Sequence, residues 1–254
     1  MPILTRNVTG GDLFAIRKTI SDEAPITKEE VVKLYFPGDA SDPQTSDQRK
    51  PIQDAIEFLA EINQIQHSDT GYELTETAVE FDDAHLSLLH GIRTADGEES
   101  AYNDVLECLA EQSAVLADRS GELIDEMSDR VPSANWNEQK LRYWARVMEE
   151  IGVTKEVYGD EMTTMFGPSR SLALRILVDV TENKTAPLAT VLTDIDEDYI
   201  PVIGDGMELA SYFERALLSL QESNDVRLRT VSDIGQSVDI DGTGYSAIEL
   251  MSNE

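Results

Sequence analysis

Two pairs of basic residues are the side chains best placed by sequence to bind a phosphate group. Arg49 and Lys50 stand at the start of a segment with the apolar spacing of a helix, and a DNA-reading helix carries its contacts there. Arg227 and Arg229 alternate with apolar residues, so both are expected to point from one face of a strand, where paired arginines could straddle a phosphate. This pattern favours contact with a nucleic-acid backbone, and ordinary solvated side chains are the alternative.

The other outward positions of the helix that begins at Arg49 and Lys50 are expected to repel phosphate. They are Gln53, Asp54, Glu57 and Glu61. Three of these four side chains are carboxylates, and their repulsion would act on a nucleic acid unless salt screens it. The sequence therefore leaves both interpretations of Arg49 and Lys50 open.

A cluster of aromatic residues is the candidate site for a protein partner. Trp136, Tyr143 and Trp144 lie within one expected helix, 136–151. Trp and Tyr are concentrated at the binding hot spots of protein interfaces, which favours a partner surface. Burial of the same residues in a hydrophobic core is the alternative.

Metal and catalytic sites are not indicated. His85 and His90 lie on different sides of a helix and His67 lies elsewhere, so no pair has the spacing of metal ligands. The segment 239–250 begins like a calcium loop, but Leu250 stands where a bidentate Glu is needed, which favours a Gly-rich hairpin turn. The sequence also lacks a phosphate-cradling Gly-Lys-Thr motif and the residue sets of nucleophilic catalysis. We therefore expect a protein that is not an enzyme and has no cofactor or metal.

Three stretches with one shared pattern organise the chain. They are 52–65, 141–153 and 213–226. In each, apolar residues recur at positions i, i+3, i+4 and i+7, which predicts a helix with one buried face. Four residues after the last apolar position stand Asn63, Gly152 and Asn224. Asn and Gly tolerate the left-handed conformation that ends a helix, and a β-branched residue follows, so each helix is expected to turn directly into a strand.

Further local signals predict the elements around these helices. Thr27, followed three residues later by Glu, has the signature of a capping box, and Pro51 is expected in the first turn of the helix 52–65. Gly71 is expected in a hairpin turn, and residues 185–187 are expected to open a helix.

A helix that stops at Asn or Gly and continues into a hairpin resembles the last third of a winged helix-turn-helix. The predicted fold is mainly α with small β-hairpins, as tandem winged helix-turn-helix domains joined by a helical middle region. Residues 1–78 are predicted to form the first such domain and residues 167–254 the C-terminal one. Residues 79–166 are predicted to form either a helical linker or a second winged-helix-like domain.

Composition indicates a folded protein adapted to high salt. Fifty acidic residues against twenty basic ones give a formal charge of −30, yet 41% of the residues are hydrophobic and show helical periodicity, which argues against disorder. In about 1 M salt the repulsion between carboxylates is screened within about 3 Å, so the acidity is interpreted as a halophilic adaptation. The single cysteine, Cys108, excludes an internal disulfide. The absence of a long apolar run or an export signal predicts a cytoplasmic protein without a membrane partner.

Three tripeptides in the C-terminal third carry a further resemblance. They are Gly167-Pro168-Ser169, Ala186-Pro187-Leu188 and Val231-Ser232-Asp233. They resemble the DpdG family of the deazaguanine DNA-modification clusters, among the winged-helix proteins of transcription regulation and defence islands. The tandem arrangement also resembles the acidic winged-helix subunits of SMC-type DNA-organising machines, which bind a partner chain in preference to DNA.

These patterns lead to two hypotheses about function. The first is a non-enzymatic, DNA-associated winged-helix protein of a halophile. It would either bind duplex DNA as a regulator or belong to a multi-subunit DNA-processing or defence complex with protein partners. The second is a protein-interaction scaffold of the SMC-associated type that does not bind DNA itself.

The charge of −30 generates the first testable prediction. If the acidity is an adaptation to salt, lowering the salt will expose repulsion between carboxylates and destabilise the fold. The melting temperature, followed by circular dichroism, should fall as KCl is reduced from molar concentration to 0.1 M. A melting temperature that stays constant across this range would contradict the interpretation.

Overall fold

Helices dominate the structure, a computed structural model, and short antiparallel strands connect them. The mainly α fold with small β-hairpins is therefore confirmed. The structure describes residues 8–36, 46–96, 100–111, 116–118, 121–130, 135–156, 163–181, 183–204, 208–231 and 236–251. Within these residues, no helix is both long enough and apolar enough to cross a membrane.

The chain divides into two compact units. The first comprises Met1–Asn103 and Ser128–Ile151, and the second comprises Asp104–Met127 and Gly152–Glu254. The division into 1–78, 79–166 and 167–254 stays a prediction.

Three helices followed by two strands begin the first unit. They are α1 (Gly10–Glu23), α2 (Lys28–Tyr35), α3 (Ser46–Glu61), β1 (Ile65–Ser68) and β2 (Gly71–Leu74). The predicted capping box opens α2, where the Thr27 side chain accepts from the Glu30 amide and the Glu30 carboxylate accepts from the Thr27 amide. A second capping box, at Thr9, opens α1.

Residue Ile26, between α1 and α2, forms a single-residue antiparallel bridge with Tyr72 of β2. Its amide donates to the Tyr72 carbonyl at 3.1 Å, and the Tyr72 amide donates back to the Ile26 carbonyl at 2.7 Å. Gly71 was expected in the hairpin turn but is the first residue of β2, with φ +153°. A Cβ at Gly71 would lie 2.7 Å from the Ile26 backbone, so glycine is needed for this close approach. The resulting strand order is Ile26, β2, β1.

The middle of the chain repeats this succession of elements after two additional helices. The additional helices are α4 (Glu76–Glu80) and α5 (Ala84–Arg93). The repeated elements are α6 (Ala101–Glu111), β3 (Leu116–Asp118), α7 (Glu122–Arg130), α8 (Glu138–Ile151), β4 (Thr154–Glu156) and β5 (Thr163–Phe166). The three strands form an antiparallel sheet in the order β3–β5–β4, which lies within the second unit, whereas α8 lies within the first.

The C-terminal part of the second unit contains the succession a third time. Its elements are α9 (Arg170–Val180), β6 (Thr185–Pro187), α10 (Leu188–Asp198), α11 (Ser211–Glu222), β7 (Val226–Arg229), β8 (Val238–Ile240), β9 (Thr243–Tyr245) and β10 (Ala247–Leu250). The sheet order is β6–β10–β7, and β8 and β9 form a separate hairpin between β7 and β10. Asp241 and Gly242 form the turn of this hairpin, with φ of 49° and 72°. The segment is thus a hairpin turn, the alternative that the sequence favoured over a calcium loop.

One order of elements thus occurs three times. It runs helix, strand, helix, helix, strand, strand, and the last strand lies between the other two. In the first copy a single bridge residue, Ile26, takes the place of the first strand, and in the third copy the β8–β9 hairpin is inserted before the last strand. We refer to these sets of elements as the first, middle and third copies. Their third helices are α3, α8 and α11, the three helices predicted from the repeated sequence pattern.

The apolar stripes of these three helices are buried as predicted, although Ile52 is only half-buried. The prediction of a left-handed residue after each helix is also confirmed. Asn63, Gly152 and Asn224 have φ of 56°, 98° and 61°, and strands β1, β4 and β7 begin two residues later. The repeated pattern therefore defined both the helix face and the reversal that follows it.

The residue after the left-handed turn is a buried polar anchor in two copies. In the first copy this residue is Gln64, and Arg17 of α1 donates from Nε to Gln64 Oε1 at 3.0 Å. In the third copy it is Asp225, and Arg170 of α9 donates from Nε to Asp225 Oδ2 at 3.0 Å. Burial lowers the pKa of the Arg17 guanidinium below its ordinary value. In both copies the first helix is thus tied to the start of the sheet.

The start of α3 was predicted wrongly, and strand β6 was missed. Helix α3 begins at Ser46, so Pro51 lies inside the helix and does not occupy its first turn. Residues 185–187 lead into helix α10, which begins at Leu188 with Pro187 at its N-cap, so the predicted helix is confirmed. The same residues also form strand β6, which pairs with β10 and was not predicted. Sequence spacing alone did not reveal that strand because its pairing partner lies about sixty residues further along the chain.

The left-handed turn after α8 generates a prediction about stability. Gly152 has φ +98°, and a Cβ there would lie 3.1 Å from Ser169 Oγ. We expect Gly152→Ala to lower the free energy of unfolding by about 1–2 kcal/mol, because an L-residue is strained in this conformation. Urea denaturation monitored by circular dichroism measures the change.

Gly11→Ala is the matched control for this substitution. Gly11 lies in the first turn of α1, and a Cβ there would meet only Thr9 Oγ1, at 3.7 Å. The control should leave stability unchanged or raise it by up to about 1 kcal/mol. Equal changes in the free energy of unfolding for the two substitutions would contradict the expected strain at Gly152.

Candidate nucleic-acid interface

The predicted phosphate ligand Lys50 is engaged within its own helix. Its Nζ lies 3.1 Å from Oδ1 of Asp54, one turn further along α3. Asp54 was expected to point outward, but its side chain is fully buried. A buried carboxylate needs a cation nearby, so Lys50 contributes to the stability of α3 and its charge is largely neutralised there.

Arg49 contacts an aromatic ring instead of projecting fully into solvent. Its Cζ lies 5.7 Å from the centre of the Phe36 ring, within the range of a cation–π interaction. Helix α3 carries a further ion pair near its middle, where Lys28 Nζ lies 2.7 Å from Glu57 Oε1. The predicted contact surface at the start of α3 therefore has little unneutralised positive charge.

Arg227 and Arg229 lie on the exposed face of β7, as their alternation with apolar residues indicates. Arg229 forms an ion pair with Glu249 of the neighbouring strand β10, where the Glu249 side chain is 16% exposed. The Arg227 side chain is exposed and is not among the ion pairs formed by the described residues. Of the four predicted cations, Arg227 keeps the most accessible charge.

The aromatic cluster is divided between core and surface. Trp136 and Trp144 are buried, with 6% and 3% of their surfaces exposed, and Trp144 Nε1 donates to the Tyr102 carbonyl at 3.0 Å. This burial favours the core alternative for Trp136 and Trp144, and partner binding by them stays an untested prediction. Tyr143 is partly exposed, and its hydroxyl accepts a hydrogen bond from Gln139 Nε2 at 2.6 Å. Only Tyr143 keeps a place at the surface.

The outward face of α8 is a basic surface that the sequence reasoning missed. Gln139, Arg142, Tyr143 and Arg146 follow the helical spacing i, i+3, i+4, i+7. They lie two positions before or after the residues of the buried stripe, which corresponds to a rotation of about 200° around the helix. Together with Lys140 they form a set that we call the α8 basic face. The signal was present in the sequence, because residues 139–148 contain three basic residues and no acidic one.

An open depression lies along this face. It has a volume of about 710 Å³ and is lined by Asn137, Glu138, Gln139, Arg142, Tyr143 and Arg146. Arg142 lies 3.4 Å from Glu138, and both side chains are substantially exposed, so this pair stabilises by only about 0.5 kcal/mol.

Contacts at both ends of α8 hold the basic face in position. At the start, the Asn137 side chain accepts from the Lys140 amide at 3.0 Å and so caps the helix. Near the end, α1 approaches closely because residue 10 is glycine. A Cβ there would lie 2.3 Å from Glu150 Cβ. The buried indole of Trp144 fixes the middle, so the backbone beneath the basic face is held along its length.

Among the described residues, no group of three or more His, Cys, Asp and Glu side chains is arranged to hold a metal ion. The chain matches no protein-family model, and the curated proteins contain no significant match to it. The function is therefore argued from the geometry of the chain alone.

The position of Trp144 generates a prediction that separates core from interface. Trp144→Ala should lower the free energy of unfolding by about 3–5 kcal/mol, because it removes a large buried side chain and leaves a cavity. Trp144→Phe should cost less, since it keeps an aromatic ring and loses the hydrogen bond to the Tyr102 carbonyl.

Tyr143→Ala is the control on the same helix. Because Tyr143 is partly exposed, its removal should cost less than that of Trp144. Urea denaturation of the three variants measures the order. A Trp144→Ala variant as stable as the wild type would contradict the assignment of this indole to the core.

Proposed function

We propose that the chain is a non-enzymatic winged-helix protein that binds duplex DNA, with winged helices in the first and third copies. The observation that carries this proposal is the repeated order helix, strand, helix, helix, strand, strand, with the last strand in the centre of each sheet. This order and pairing are those of the winged helix-turn-helix, in which the third helix and the hairpin that follows it approach nucleic acid. In the middle copy α8 belongs to the first unit and its sheet to the second, so the proposal takes residues 79–166 as the helical linker.

The charge distribution supports binding through a local surface. With a net charge of −30 the long-range field of the chain repels phosphate. Arg227 is an exposed cation on the strand that follows the third helix of the third copy, and Arg146 is an exposed cation on α8. At high salt the repulsion is confined to a few ångströms, so direct contacts decide whether a duplex is held.

A protein-interaction scaffold is the second candidate. It is favoured by the intramolecular ion pairs of Lys50 with Asp54 and of Arg229 with Glu249. Both pairs neutralise cations that would otherwise attract phosphate. A subunit of a halophilic DNA-processing or defence complex would combine the two candidates, since some copies would contact protein and others DNA.

Direct binding is tested with a fluorescently labelled 30-base-pair duplex and fluorescence anisotropy. The titration is repeated over a KCl series at which circular dichroism shows the protein to be folded. We expect the logarithm of the association constant to fall linearly with the logarithm of the salt concentration, by about 0.9 for each phosphate contacted.

A non-interacting control for this experiment is a duplex of uncharged peptide nucleic acid with the same sequence, which should not bind. No binding of the DNA duplex at any salt concentration at which the protein is folded would overturn the proposal and leave the scaffold.

A further inference from the structure

The arginine of α1 is buried among neutral hydrogen-bond acceptors. Arg17 is only 8% exposed, and its Nε donates to Gln64 Oε1 at 3.0 Å. Its Nη2 donates to the Ala78 carbonyl at 2.9 Å and to Ser87 Oγ at 3.1 Å. Such hydrogen bonds satisfy the donors but leave the positive charge in place, and a buried charge is costly unless an opposite charge lies beside it.

The equivalent arginine of the third copy has an opposite charge beside it, although it is far less buried. Arg170 forms an ion pair with Asp225, which follows the left-handed turn as Gln64 does in the first copy. The Arg170 side chain is 54% exposed, so water already solvates its charge. The more deeply buried of the two guanidinium groups is therefore the one whose junction residue is neutral.

One amino group of Arg17 remains available after these contacts. A guanidinium has five N–H donors, of which Nε uses one and Nη2 uses two. Among the described residues, Nη1 has no hydrogen-bond or ion-pair partner, and it is not one of the fully buried polar atoms that lack a partner. Nη1 therefore lies at the opening through which Arg17 reaches solvent.

The surrounding network holds this amino group in position. Ser87 Oγ donates to Gln64 Oε1 at 2.7 Å, and Gln64 Nε2 donates to the Ser87 carbonyl at 2.8 Å. Helix α5 approaches Gln64 this closely because residue 91 is glycine, where a Cβ would lie 2.8 Å from Gln64 Nε2. A neighbouring carboxylate would raise the pKa of the Arg17 guanidinium, but burial alone sets its direction and lowers that pKa.

The two N–H donors of Nη1 suit a monatomic anion. Carboxylate and phosphate groups bind arginine best through two parallel hydrogen bonds from two different nitrogens, but Nε and Nη2 of Arg17 are already engaged. A halide ion has no preferred direction of approach, so it accepts from both hydrogens of one amino group. It also supplies the negative charge that Gln64 lacks.

We infer that Arg17 Nη1 is the centre of a binding site for a small monatomic anion such as chloride, which has the role that the Asp225 carboxylate has in the third copy. This site is independent of the proposed function. A chain with a net charge of −30 repels anions at long range, so the anion is held by direct contact, at salt concentrations that screen the repulsion.

The test follows the full chain at a fixed potassium concentration while chloride replaces gluconate. At constant ionic strength the screening of carboxylates does not change, whereas an anion that binds only the folded state stabilises it. We expect the melting temperature, measured by circular dichroism, to rise with chloride and to approach a plateau. The protein should also broaden the chloride NMR signal, and added bromide should reverse this broadening.

Three variants locate the site. Gln64→Glu gives the first copy the carboxylate that the third copy has, so the rise in melting temperature and the reversible broadening should both be lost. Arg17→Gln removes the cation and should lose both as well. Gln139→Glu adds the same negative charge at an exposed position of α8 in the first unit, and should keep both.

Two results would overturn the inference. One is a wild-type protein that shows neither the saturable rise in melting temperature nor the reversible broadening. The other is a folded Gln64→Glu variant that keeps both in full, since this would place the effect of chloride elsewhere on the chain. Circular dichroism establishes that each variant is folded, and Arg17→Gln takes the place of Gln64→Glu in this comparison if the latter does not fold.

Discussion

Each copy depends on one backbone conformation, the left-handed residue between its third helix and the strand that follows. This residue ends the helix and reverses the chain, so that the next residues pair in the sheet. Asn63, Gly152 and Asn224 adopt it with φ between 56° and 98°. The conformation is unfavourable for most L-residues, by about 1–2 kcal/mol, and Asn and Gly reduce that cost. The junction is therefore specified by a residue type as well as by the burial of the helix.

The polar residue that follows this turn binds an arginine of the first helix in two different ways. In the first copy, Arg17 is buried among neutral partners and donates from Nη2 to the Ala78 carbonyl at 2.9 Å and to Ser87 Oγ at 3.1 Å. In the third copy, a carboxylate meets the arginine, and Asp225 also accepts from Ser223 Oγ at 2.8 Å. Hydrogen bonds satisfy the buried polar atoms in both cases. In these two copies a buried network thereby ties the first helix to the helix–strand junction, which disfavours alternative arrangements of the two elements.

The charge of the chain makes local electrostatics decisive. A uniform acidic surface would exclude nucleic acid at low salt and would be largely screened at high salt. Only cations that are close together and not neutralised by neighbours could then hold a phosphate. Lys50 fails this condition because the buried Asp54 lies 3.1 Å away.

The sequence alone determined the three helices with buried stripes, their left-handed ends and the strands that follow, because these depend on interactions between residues close along the chain. Whether an individual polar side chain is buried or exposed depends on tertiary contacts. Asp54 occupies a position that helical spacing places near the outer face, yet packing buries it, and strand β6 exists only because β10 lies beside it. Trp136 and Trp144 are of a residue type that is common at binding hot spots, but they are buried. The α8 basic face was visible in the sequence as a run without acidic residues. Its exposure became evident only when the opposite face of the helix was buried.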